Sequence, residues 1–325
     1  MTRVATAKRF VGGLALLVVI GAACARPTAS PTDNRTIAFL RAVPSGASEF
    51  FFEELRRAGY IRGQNLDVLD GDPATVYVDA DEIRQAVERW TREGVDLVIA
   101  YSTSGARIAS ETAPDVPIVS ITNDPVLTGL VADGTSPQGS ITGVTFRVPA
   151  DRTLDVARRA IGELGTVGLV YADGDPASVP HRDAVAAAGR KLGITVRAVS
   201  FTGTDDAAAA VAALPADTGA VFISNSPTAV RNASVIVDAA DGRSLPVIAN
   251  SSFISNATIV LEPDVDELTR QLGRQAARIL RGVAIADIPV EDPVRYRLVV
   301  DVSVAERLGI DVPDTVLREA DEVLR

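Results

Sequence analysis

VDLVIAYSTSGARIASETAPDVPIVSITNDPVLTGLV, residues 95–131, decides the fold. Val95–Ala100 is a short apolar run, Gly105–Thr112 has helical composition, and Val116–Ile121 is a second apolar run. Two Val/Ile-rich strands joined by a helix are parallel strands of a sheet covered on both faces. Reading outward towards the N-terminus, Thr36–Arg41 and Leu66–Leu69 are further strands. Between them Ser48–Ala58 is a helix ended by Gly59. Asp81–Arg92 is a helix with Ile83, Val87 and Trp90 on one face. Ile141–Phe146 adds a strand.

The pattern then restarts. Helices are expected at Arg152–Leu164, Arg182–Leu192, Asp205–Leu214 and Thr228–Ala240, and strands at Thr166–Tyr171, Ile194–Val199, Gly219–Ser224 and Leu245–Ala249. A helix at Val265–Arg281, a strand at Arg297–Asp301 and a short helix at Ser303–Leu308 close the chain. The fold class is therefore α/β, as two similar lobes of about five strands each, with the break near residues 146–151.

In open α/β sheets, ligands bind beyond the carboxyl ends of the strands. Here those ends carry Ser102, Thr103, Ser104 and Gly105; Asn123 and Asp124; Asp175 and Ser178; Ser224, Asn225 and Ser226; and Asn250 with Ser251. Hydroxyls and free N–H groups at helix starts suit carboxylates and other acceptors. The same residue types are also the usual helix N-caps, so each cluster alone has a purely local explanation. Five clusters divided between two lobes favour a shared cleft. Tyr101 and Phe146 end strands on the same side, and either ring could stack on a ligand. Phe50, Phe51 and Phe52 read mainly as core, Asp205 and Asp206 as a helix start, and His181 as a surface residue.

Composition closes several other routes. The formal net charge of −10 gives no electrostatic footprint for nucleic acid. With one Cys and one His, an intramolecular disulfide is excluded and a His/Cys zinc site is unsupported. There is no GxGxxG or phosphate-binding loop, and no cofactor is expected.

The N-terminus reads as an address. Arg3, Lys8 and Arg9 precede an uncharged, mostly apolar run from Phe10 to Ala23, too short to span a bilayer and ending in small residues. The lone Cys24 follows Gly21-Ala22-Ala23, which resembles a bacterial lipobox and implies lipidation of Cys24. Residues 1–24 are thus expected to be a lipoprotein signal peptide, and residues 25–35, rich in Pro, Ser and Thr, a flexible tether.

From Thr36 to Arg325 the chain resembles the ABC-transporter substrate-binding proteins that include tryptophan- and tyrosine-binding members. The resemblance is carried by ELRRAGYIRGQNL (54–66), by the 95–131 block with its Asp124-Pro125-Val126 step, by ITGVT (141–145) and by the tail RLVVDVSVAERLGIDVPDTVLREADEV (297–323). It implies the type I periplasmic-binding fold, two Rossmann-like lobes joined by three crossovers, with ligand trapped between them. One lobe would hold residues 36–146 and 256–284, the other 147–255 and 285–325. Thr103, Ser104 and Gly105 would hold a ligand carboxylate, and Asn123 and Asp124 would line the cleft. In the second lobe, loop 172–178 and Asn225-Ser226-Pro227 depart from the family's motifs, losing an Asp and two Asn; Asp124 or Asp175 would have to serve a ligand ammonium. The implied function is a monomeric, extracytoplasmic, lipid-anchored solute receptor, not an enzyme, that serves an ABC permease and ATPase. The alternatives are a sensor of the same fold docked on a signalling receptor, and a carboxylate-based extracytoplasmic enzyme.

Overall fold

The computed structural model describes residues 33–41, 49–70, 75–162, 164–175 and 178–325. The lipobox reading of Cys24, the signal segment and most of the tether lie outside the described residues, as do Ser48 and positions 176–177 of the 172–178 loop.

The first sheet has five strands, β1 (Arg35–Arg41), β2 (Leu66–Leu69), β3 (Leu97–Tyr101), β4 (Ile118–Thr122) and β5 (Ile141–Thr145), in the order β2-β1-β3-β4-β5. All its pairings are parallel. Leu97, Val98, Ile99 and Ala100 are each buried, so the unbroken apolar run reflects cover on both faces. One face packs on helices α2 (Ala80–Arg92) and α3 (Thr103–Thr112) through Ile83, Val87, Trp90, Ala106 and Ala109. The other packs on α1 (Glu49–Arg57) through Phe51 and Leu55, and on Leu268, Leu272 and Ala276 of a helix much later in the chain.

The second sheet has seven strands. These are β6 (Thr166–Ala172), β7 (Thr195–Phe201), β8 (Ala220–Ile223), β9 (Val247–Ala249), β10 (Ile259–Pro263), β11 (Tyr296–Asp301) and β12 (Glu322–Leu324). Their order is β12-β11-β10-β9-β8-β6-β7, with only the β10–β11 pair antiparallel. Helices α4 (Ala150–Ile161) and α5 (Ser178–Leu192) cover one face, while α6 (Thr204–Ala212) and α8 (Ala233–Asp241) cover the other. The single helix expected over 228–240 is two, α7 (Pro227–Arg231) and α8, broken at Asn232. Helix α9 (Val265–Leu280) is the late helix that returns to the first sheet. Two short helices, α10 (Val302–Arg307) and α11 (Asp314–Glu319), lie between β11 and β12.

The crossovers fall elsewhere than expected. The resemblance implies that residues 256–263 belong to the first lobe, but Ile259, Val260 and Leu261 are buried and β10 pairs with β9 through Ile259 and Ile248. A third apolar strand has more surface to bury beside β9 than as a free connection. The resemblance likewise implies that residues from 285 belong to the second lobe, but Ile288 is fully buried in the first lobe's core. Glu291 N donates to Gly143 O (3.0 Å), and Thr145 N donates to Glu291 O (2.8 Å). The chain thus crosses between the sheets after β5, after β10 and after Asp292.

Candidate functional site

A pocket of about 460 Å³ lies between the two sheets, beside the crossovers. Asn123, Asp124 and Leu127 line it from the loop after β4, and Phe146 and Arg147 from the first crossover. The second lobe contributes His181, Ala184 and Lys191 of α5, together with Asn225 and Asn250 at the ends of β8 and β9. Asn123 Nδ2 donates to the Asn225 carbonyl, a direct hydrogen bond across the cleft.

Asp124 does not offer an open carboxylate. Its Oδ1 accepts from Val126 N (3.2 Å) and Leu127 N (3.0 Å), and its Oδ2 accepts from Arg147 (3.3 Å). Arg147 also pairs with Asp292. This carboxylate shapes its own turn and ties it to the crossover, so it is a poor candidate for the ammonium partner suggested by sequence. Asp175 Oδ2 accepts from Thr228 N at 3.4 Å, next to the start of α7.

His181 is not the surface residue expected. Its ring packs edge-on against Phe222 (5.3 Å between centroids), and Nδ1 lies 3.3 Å from Ser224 Oγ. Nε2 has no hydrogen-bond partner. Desolvation pushes its pKa down to about 4, partly offset by the Asn250 side chain, so the imidazole is neutral at pH 7. Asn250 is 1% exposed. Its Nδ2 donates to Leu261 O (2.8 Å) and Thr153 Oγ1 (3.0 Å). A backbone carbonyl can only accept, which fixes the amide orientation and leaves Oδ1 as an acceptor without a partner. A buried polar group left unpaired costs on the order of 1–3 kcal/mol, and such groups collect where a ligand can meet them.

His181 is the only histidine, so its titration can be read directly. The unfolded chain binds a proton near pH 6.5 that the folded chain refuses until about pH 4. Stability from this group is therefore full above about pH 6.5 and is lost as pH falls towards 4, with a slope of at most about 1.4 kcal/mol per pH unit. His181→Gln should flatten the fall in melting temperature between about pH 6.5 and pH 5. An unchanged profile would place the ring in solvent.

The other candidates from sequence are not among the residues that line this pocket, several of them having local roles. Ser102 Oγ accepts from Gly105 N (2.9 Å) and caps α3; Thr103 is buried and Ser104 exposed. Ser226 caps α7 through Ala229 N (3.3 Å), and Ser251 Oγ accepts from Phe253 N (3.3 Å). Ser224 is turned to His181, and Ser178 is fully buried with its Oγ unpartnered. Sequence reading missed His181, Ala184, Ala188 and Lys191 as a set. Their spacing of three, four and three residues was the available signal, since it puts all four on one face of α5.

Among the described residues, no group of three His, Cys, Asp or Glu side chains could hold a metal ion. No helix among them is long and apolar enough to cross a membrane.

Comparison with known proteins agrees with this architecture. A tyrosine-binding protein of Clostridioides difficile is 23% identical over 247 residues, 75% of this chain and 71% of the relative. The crystal structure of an ABC domain in complex with L-Trp from Streptococcus pneumonia superposes with a TM-score of 0.79 at 22% identity, covering 90% of this chain and 100% of that one. A conserved domain protein of Vibrio cholerae gives a TM-score of 0.79 at 21% identity, covering 90% and 99%. Residues 47–324 match the family model described as ABC transporter substrate binding protein. With two α/β lobes, a cleft pocket between them and a match over nearly the whole body of the chain, this protein belongs to the ABC transporter substrate-binding protein family.

Proposed function

We propose that this chain captures an amino acid or related carboxylate in the cleft pocket, as a monomer held on the outer side of the cell membrane by a lipid on Cys24, and hands it to an ABC permease. The observation that carries the reading is the pocket itself. It is closed on both sides by the two lobes of one chain, and His181 Nε2 and Asn250 Oδ1 stand there without protein partners. Capture of this kind needs hydrogen bonds and lobe movement rather than a nucleophile. The relatives that bind tyrosine and tryptophan make those two amino acids the first probes.

Calorimetric titration of the purified protein with L-tyrosine and L-tryptophan tests the ligand class. Saturable heat with either supports it, and heat only with sugars or nucleosides rejects it. The anchor has a separate test: Cys24→Ser should move the protein from the membrane fraction to the soluble extracytoplasmic fraction. Retention at the membrane would reject lipidation at Cys24.

A further inference from the structure

Helix α5 forms a graded wall. His181, Ala184, Ala188 and Lys191 all line the pocket, and their spacing sets them along one helix face. Ten residues at 1.5 Å each separate the ends of this wall by about 15 Å. At one end stand the neutral imidazole of His181 and, beside it, the Asn250 carboxamide, each with an unpartnered polar atom. The middle is alanine, opposed by Phe146 and Val148 across the slot. At the far end is an ammonium group.

That ammonium is unusual in this chain. Of the 32 basic residues only two are lysines, Lys8 and Lys191, and Lys8 lies in the N-terminal address segment. Among the described residues the exposed side chain of Lys191 forms no ion pair or hydrogen bond. The other cation of the pocket, Arg147, is already held by Asp124 and Asp292. Arg147 bridges those two carboxylates and offsets one of their charges; the exposed Asp151 sits in the first turn of α4, where the helix dipole favours a negative charge, so Lys191 is the pocket cation not already committed. A helical side chain points back towards its own N-terminus, so Lys191 leans along the slot rather than away from it. A compact, flexible ammonium can meet a carboxylate without the fixed planar geometry a guanidinium requires.

We propose that the slot reads an elongated organic anion: an uncharged hydrogen-bonding end at His181 and Asn250, an aromatic middle over the alanines, and a carboxylate paired with Lys191. This rests on the reading of the cleft as the ligand pocket. It makes the carboxylate, not an α-ammonium group, the charge that is recognised.

Three probes with the same phenol ring separate the possibilities: para-hydroxyphenylpropionate (anion), L-tyrosine (zwitterion) and tyramine (cation). By calorimetry the propionate should bind at least about tenfold tighter than tyramine, the worth of one charge-assisted hydrogen bond. Lys191→Gln should remove that advantage by weakening the propionate and not weakening tyramine, while Lys191→Arg should restore much of it. The propionate should also shield Lys191 from acetic anhydride, read by mass spectrometry. Equal binding of propionate and tyramine, an unaffected Lys191→Gln variant, or no binding of any of the three would overturn the inference. The cleft reading is judged separately, by any ligand that raises the melting temperature of the wild type but not of an Ala184→Trp variant. Such a ligand keeps the cleft and removes only the anion assignment.

Discussion

Ala184→Trp is expected to abolish ligand capture while leaving the fold intact. Ala184 is solvent-exposed within the α5 wall of the pocket, so a larger side chain there displaces no core neighbour. An indole at this position projects into a slot of about 460 Å³ and takes the space of the ligand's middle. Ligands in such pockets bury most of their surface, so the loss should be on the order of 100-fold or more. The melting temperature should stay within about 3 °C of wild type, as for an exposed substitution. Undiminished binding would move the ligand site away from α5.

Gly143→Ala should have the largest effect on stability. Gly143 sits in β5 with φ of +157°, and a Cβ there would lie 2.0 Å from Ser120 O and 2.7 Å from Ser120 N. Both are backbone atoms of the paired strand β4, so no flexible side chain can yield. The next residue back, Thr142, donates its hydroxyl to Ile288 O (2.6 Å), which pins β5 from the other side as well. Relief requires separating β5 from β4, at more than about 4 kcal/mol out of a total stability of about 5–15 kcal/mol. Urea denaturation measures this directly, and an unchanged midpoint would mean that β5 does not approach β4 so closely. The ITGVT motif therefore has a packing reason for its glycine, independent of any ligand.

Much of the architecture was legible because burial leaves a simple trace. The runs at Leu97–Ala100 and Val167–Val170 are apolar without interruption, and both became covered parallel strands. Strand β10 was harder. Ile259, Val260 and Leu261 are as apolar as any strand, but they precede a helix that packs on the other lobe, and sequence does not say at which residue a chain changes sheets. The site was legible only in part. Asn123, Asp124, Asn225 and Asn250 do meet in the pocket, because the ends of parallel strands converge there. His181 escaped because a charge-bearing residue between Pro180 and Arg182 looks solvated, and only the packing of its ring on Phe222 removes it from water. Ser102 and Ser226 show why such positions are ambiguous in sequence, since a polar residue at a helix start also serves the helix as its cap.

The return of α9 to the first sheet also governs the order in which the chain can fold. The apolar face formed by Phe39, Phe51 and Leu55 is covered by Leu268, Leu272 and Ala276, more than two hundred residues later in the chain. A chain emerging N-terminus first therefore holds this face open until α9 arrives, while the second sheet grows beside it. Fragments ending before Leu280 should be aggregation-prone, and the slow step of folding should be closure of the N-terminal half by a late helix rather than formation of either sheet.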